Sequence, residues 1–170
     1  MVIVKIKRDI SGENRYLKNA VRYVHDKKGV PPIFLSGNGV DYTSAQKAFD
    51  QMYAVKQYFG KTSGNPLVHF MICFDKSVTT ADIATRLSWS AAAYFMHDYQ
   101  YIVCTHFRDH DFNHYHCHIV LNSVSFKDGK MIHTGRAELE DYCKYISRIT
   151  EQTTKFEFCK NDEKSRRNGK

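Results

Sequence analysis

The sequence predicts an α+β fold, a mostly antiparallel central sheet with flanking helices, and three observations carry that expectation. Short runs of β-branched and aromatic residues bounded by turn residues recur at Val2 to Lys7, Leu67 to Phe74, Tyr101 to Phe107 and beyond Asn113. Longer stretches with a helical apolar period lie between most of them. Two of the runs are divided only by R-D-H-D-F-N, a hairpin-sized connection that sets neighbouring strands antiparallel.

Val2 to Lys7 alternates apolar and basic residues, as a half-buried strand does, and Ser11-Gly12 turns the chain into a helix from about Glu13 to His25. Leu17, Val21 and Val24 form its buried stripe. Residues 29–40 hold two prolines and three glycines and read as a loop. Helical periodicity returns from Tyr42 to Phe59 through Ala45, Phe49, Met52 and Val55. Leu67 to Phe74 is nearly continuously apolar, which suits a central strand covered on both faces. Thr79 to His97 reads as a helix with a Thr/Asp start, Tyr101 to Phe107 as a buried strand, and Ala137 to about Phe156 as a closing helix after a turn at Lys127 to Lys130. Residues 1–158 are therefore expected to form one domain and 159–170 a basic, flexible tail.

The chain has 170 residues, 42% of them hydrophobic, enough for one sizeable core. Its formal charge of +7 points to an acidic partner, with nucleic acid ahead of a membrane surface. Five cysteines without a C-x-x-C pair argue against a disulfide framework and against a cysteine zinc knuckle, and favour a reducing cytosol. No apolar run approaches the roughly 20 residues of a spanning helix.

The chemistry concentrates in D-F-N-H-Y-H-C-H-I-V-L-N. His114, His116 and His118 occupy every second position of a strand and so point to one face. A row of neutral imidazoles holds a divalent transition-type metal. Strand positions four apart lie roughly 13 Å apart, too far for His114 and His118 to share one ion. His116 and His118, deepest in the apolar part, are the preferred pair. His106 on the neighbouring strand completes a facial triad with open coordination positions, a catalytic rather than a structural arrangement. Asp109 and Asp111 are placed to orient a ligand through its second ring nitrogen, and His114 takes such a role or contacts phosphate.

T-H-F followed by Asp residues, then H-x-H-x-H-I-V-x-N-S-V, resembles the third motif of the HUH-type, MobA/VirD-like relaxases that mobilise plasmids and conjugative transposons, in particular the mobilisation nucleases of Gram-positive mobile elements. N-A-V-R-Y-V-H-D-K-K-G looks like that family's first motif. N-P-L-V-H-F-M-I-C-F-D resembles its middle strand and N-S-V-S-F-K-D-G-K the continuation past the metal strand. The connection after His106 is a few residues longer than the family pattern, which leaves open whether Asp109 or Asp111 is the motif's acid.

The resemblance implies the HUH endonuclease fold, a bacterial cytoplasmic location and a relaxase that nicks one strand at an origin of transfer. Its nucleophile maps to Tyr23, with His25 as runner-up and Tyr16 as a further alternative. Attack on the scissile phosphorus leaves a 5′-phosphotyrosine and a free 3′-OH. Mn²⁺ or Mg²⁺ is the implied cofactor, Zn²⁺, Ni²⁺ or Co²⁺ also suiting the ligands, and no nucleotide cofactor is called for. The implied partners are single-stranded or locally melted origin DNA, accessory DNA-binding proteins and a coupling protein. Lys27 and Lys28, with Arg15, Lys18 and Arg22 on the same helix, are the expected DNA contacts. Two rivals remain: a rolling-circle replication initiator or single-strand transposase, which would use a late tyrosine such as Tyr142 or Tyr145, and a non-catalytic DNA-binding module with a structural zinc.

Overall fold

The computed structural model describes residues 1–8, 13–26, 34–106 and 114–159. The elements run β1 (Val2–Arg8), α1 (Asn14–His25), β2 (Leu35–Asn38), α2 (Ala45–Tyr58), β3 (Leu67–Cys73), α3 (Ala81–Ala93), β4 (Tyr101–His106), β5 (His116–Asn122), α4 (Arg136–Thr150) and β6 (Thr154–Phe158). The strands form one open sheet in the order β2-β4-β5-β3-β1-β6. Every pairing is antiparallel except that of β1 with β6. This is the α+β architecture that the alternating runs predict. No helix among the described residues is long and apolar enough to cross a membrane.

Side-chain alternation divides the strands' apolar residues between two cores. On one face Val4, Phe70, Ile72, Ile119 and Leu121 meet Ala91 of α3 and Leu139, Tyr142 and Ile146 of α4. On the other, Leu17, Val21 and Val24 of α1 and Ala48 and Met52 of α2 close over Leu67, Ile102, Cys104 and Val120. Two of the helices start on a side chain that satisfies one of their first N–H groups: Ser44 Oγ accepts from Lys47 N at the start of α2, and Thr80 Oγ1 from Ile83 N at the start of α3.

Two strands depart from the sequence reading. Leu35–Asn38, read as loop, pairs with β4 as an edge strand. Its composition is poor for a strand, and tertiary bonds hold it instead: Asn38 Nδ2 donates to the carbonyls of Met96 and Tyr99, and Gln100 Nε2 to that of Gly39. Gly37 eases the close approach there, since a Cβ would lie 3.0 Å from the Tyr101 carbonyl oxygen. At the other end, α4 stops at Thr150 because Glu151 turns left-handed at φ 54°, and Thr154–Phe158 runs on as β6 beside β1 rather than extending the helix to Phe156. Cys159 N still donates to Ile6 O; residues 160–170, most of the expected tail, lie outside the described residues.

β3 also departs in part from expectation. It is central, but only Leu67, Val68, Phe70 and Ile72 are buried, while His69, Met71 and Cys73 are half covered. Among the described residues α1 packs over β4 and β5, and it is the β3 residues on that face beyond them that are half covered.

Lys56 of α2 is 1% exposed, and its Nζ donates to Ser123 Oγ at 2.7 Å. Burial pushes its pKa down from 10.5 to about 8. Between those values the unfolded chain holds a proton that the folded chain has released, so this group makes stability rise with pH, by up to about 1.4 kcal/mol per pH unit. Below about pH 8 both states are protonated and the cost of burying the ammonium persists in full. The Cys117 thiol, pushed up to about 12 by burial, and the Tyr142 hydroxyl, also raised, act with the opposite sign. Both are shared by a Lys56→Met variant and cancel in the comparison. Urea unfolding should therefore show parental stability gaining on that of Lys56→Met from about pH 8 to about pH 10 and holding a constant offset around neutrality.

Candidate active site

The antiparallel register of β4 and β5 sets His106 opposite His116 and Cys104 opposite His118. Because side chains alternate, His106, His116 and His118 all leave the sheet on the α1 side, while Cys117 and Ile119 enter the opposite core. The three imidazoles are almost completely buried, and one ring nitrogen from each lies within 4.8 Å of the others. Ring centroids are 4.4 Å apart for His106 and His118, 5.2 Å for His106 and His116, and 5.3 Å for His116 and His118. The ligand set expected from the sequence is thus brought together.

A divalent ion fits this donor set. His116 Nδ1 faces the His114 carbonyl oxygen at 3.5 Å, the outer limit of a hydrogen bond, and His118 Nδ1 lies 2.8 Å from His69 Nε2. Nδ1 of both rings is thus turned toward these neighbours, contacts that orient the rings. His114 therefore contributes its main chain to this arrangement. His69 is a residue that the sequence reading missed. Burial, and then the charge of Lys7, pushes its pKa down to about 4, so it is a neutral imidazole able to accept from His118 Nδ1–H. A single histidine in an apolar strand carries no signal of its own. Only the pairing of Met71 with His118 places it diagonally beside the row.

Tyr23 stands at the edge of the buried stripe of α1. Its ring centroid lies 5.7 Å from that of His118 and 6.4 Å from that of His106, both edge-on, and 52% of the residue is exposed. Its hydroxyl-bearing ring thus spans the imidazole cluster and solvent. His25, two residues on, bonds Asp26 Oδ1 through Nδ1 at 2.6 Å. Tyr16 shares with Tyr23 and His118 a cleft of about 360 Å³, which Lys5, Lys7 and Met71 also line. The late tyrosines lie on the far side of the sheet: Tyr142 donates to the Ala91 carbonyl within the α3–α4 core and Tyr145 to that of Ser90.

The basic residues of α1 spread around the helix. Arg15 pairs with Glu13 and Arg22 with Asp26, both exposed, while Lys18 Nζ sits 5.5 Å from the Phe49 ring toward α2. Lys27, Lys28, Asp109 and Asp111 lie outside the described residues.

The family model described as relaxase, MobA/VirD2-like, nuclease domain matches residues 16–154, a span that holds Tyr23, His69 and all three clustered histidines. No curated protein matches the chain.

Removing the His69 imidazole should weaken metal binding without dismantling the fold, because it orients a ligand rather than supplying one. Titration of Mn²⁺ or Ni²⁺ into His69→Ala should give an affinity lower by about 10- to 100-fold with an unchanged circular dichroism spectrum. An affinity equal to the parent's would show that the His69 contact does not orient His118.

Proposed function

We propose that this chain, which belongs to the MobA/VirD2-like relaxase nuclease family, nicks one strand of an origin of transfer through Tyr23 and so starts the transfer of a plasmid or conjugative transposon. DNA nicking is the family's chemistry; the residue assignment is supported chiefly by one observation, the contact of the half-exposed Tyr23 ring with the buried rings of His106 and His118. A nucleophile and a candidate metal centre are thereby held against one another from separate elements.

Tyr23 Oη attacks the scissile phosphorus, a phosphorus–oxygen bond forms as the bond to the 3′ oxygen breaks, and the tyrosine's proton is given up while the leaving oxygen takes one. The product is a 5′-phosphotyrosine and a free 3′-OH. The covalent link conserves the energy of the broken bond, so reversal rejoins ends. His106, His116 and His118 would hold a divalent ion, Mn²⁺ or Mg²⁺ in function, which when bound polarises the non-bridging phosphate oxygens. His69 and the His114 carbonyl fix two of the imidazoles, and their burial keeps bulk water from the same nitrogens. Accessory DNA-binding proteins and a coupling protein are the partners that such a transfer step requires.

The rival readings have less support. A replication initiator using a late tyrosine would need Tyr142 or Tyr145 at the cluster, and both bond to α3 carbonyls across the sheet. A structural zinc wants four protein ligands, and the cluster among the described residues offers three.

Incubation with a pool of single-stranded oligonucleotides and Mn²⁺ should give a protein–DNA adduct that survives denaturation, with mass spectrometry placing the nucleotide on the α1 peptide. Tyr23→Phe should lose at least about 1,000-fold in adduct yield, the scale expected when the only covalent nucleophile is removed. Chelation should abolish the adduct while leaving the fold intact. An adduct that persists in Tyr23→Phe, or maps to Tyr142 or Tyr145, overturns the assignment.

A further inference from the structure

On the sheet face opposite the imidazole cluster, a cleft of about 330 Å³ lies between the end of α3 and the start of α4. Its floor is a knot of buried rings: Phe70 of β3 stacks on Phe95 with centroids 5.4 Å apart, and Tyr142 lies 5.2 Å from the first and 4.9 Å from the second. Tyr94, 42% exposed, and the half-buried Tyr99 carry the aromatic surface outward to solvent. Three carboxylates, Asp98, Glu138 and Asp141, share the lining, and among the described residues neither a lysine nor an arginine does. The rings lie within reach of that charge. Burial and then Asp141 raise the pKa of the Tyr94 hydroxyl, and burial followed by Asp98 and Asp128 raises that of Tyr99. On a chain of formal charge +7 the cleft is a local reversal of sign.

We propose that this cleft docks an arginine side chain carried by a basic segment of a partner protein. The inference is independent of the nicking role, since no residue of the cleft belongs to α1 or to the imidazole cluster. An exposed tyrosine beside carboxylates suits a planar guanidinium, which stacks on the ring while its fork of N–H groups bonds a carboxylate. A lysine ammonium has no such plane to offer. A nucleic acid strand is disfavoured, because its phosphates would meet three carboxylates. A protein fits better than a free organic cation for two reasons. The volume is at the lower end of ligand pockets, room for one side chain. The rim continues as exposed aromatic surface: Phe126, 39% exposed, is tied to it by its N–H, which donates to the Asp98 carbonyl at 3.0 Å, and only a longer chain covers Phe126 and Tyr94 together. Existing ion pairs do not close the cleft. Lys127 Nζ lies 3.5 Å from Asp98 Oδ1 and Lys144 Nζ 2.8 Å from Asp141 Oδ1, but all four side chains are exposed, and such pairs contribute little. With the sheet between them, a partner held here leaves the imidazole cluster clear.

An array of hexapeptides with one central position fixed as Arg, Lys, Ala or Glu and varied flanks, probed with the full chain, tests this. The Arg set should retain at least about fivefold more protein than the Lys set, with apolar flanks preferred. By fluorescence anisotropy the strongest Arg hexapeptide should bind at least about tenfold more weakly to an Asp98→Asn, Asp141→Asn variant and to Tyr94→Ala, each with an unchanged circular dichroism spectrum. If Tyr94→Ala fails to fold, the carboxylate variant, whose changes lie at the surface, decides. Equal retention of the Arg and Lys sets, preference for the Glu set, or full affinity in the carboxylate variant overturns the proposal. Argininamide that displaces the hexapeptide at the hexapeptide's own Kd would make the cleft a pocket for free organic cations and overturn the protein occupant. Displacement by oligothymidylate would place the peptide on the DNA-binding surface, with the same consequence.

Discussion

The site depends on one constraint, the register of β4 against β5. Setting His106 opposite His116 brings imidazoles from two strands onto one sheet face with nitrogens inside 4.8 Å. A slip of one residue would turn the β5 histidines to the opposite face, among Tyr142, Phe95 and Ile146. That register is enforced because both strands are buried along their whole lengths, so each side chain has an apolar or polar environment that only one pairing satisfies.

Burial then sets the chemistry. Three almost fully buried imidazoles hold their ring nitrogens away from bulk water, close enough together for one ion. Orientation is a separate requirement, served by contacts through Nδ1: His118 leans on His69, and His116 on the main-chain carbonyl of His114 just before its strand. Tyr23 differs from both in being anchored from α1, a helix held to the sheet by Leu17, Val21 and Val24. Its position against the cluster is therefore only as firm as that helix–sheet contact.

The parts legible in the sequence were those written locally. Alternation exposed β1 and the histidine row, and a short polar connection implied the hairpin that delivers His106. Tyr23 stood out from ten other tyrosines only through its surrounding motif. His69 was illegible because its role exists only across the β3–β5 pairing, between residues 49 positions apart. β2 failed for an energetic reason: Leu-Ser-Gly-Asn has little strand preference, and its pairing depends on bonds from Asn38 and Gln100 to distant carbonyls. β6 was hidden because the apolar spacing of α4 continues through Ile149 and Phe156, while the left-handed Glu151 that ends the helix has no glycine to mark it.

The uneven coverage of the α1-side face explains why these pieces can work together. Covering it completely, as α3 and α4 cover the opposite face, would shut a polyanionic strand away from the imidazoles. Leaving it bare would hydrate those imidazoles and let their rings turn. The cluster sits instead where α1 ends its coverage, with the apolar packing of Val120 and Cys104 on one side and the half-covered Met71 and Lys5 on the other. Buried imidazoles beside a half-covered strand are thus obtained from one sheet by seating α1 and α2 off-centre on it.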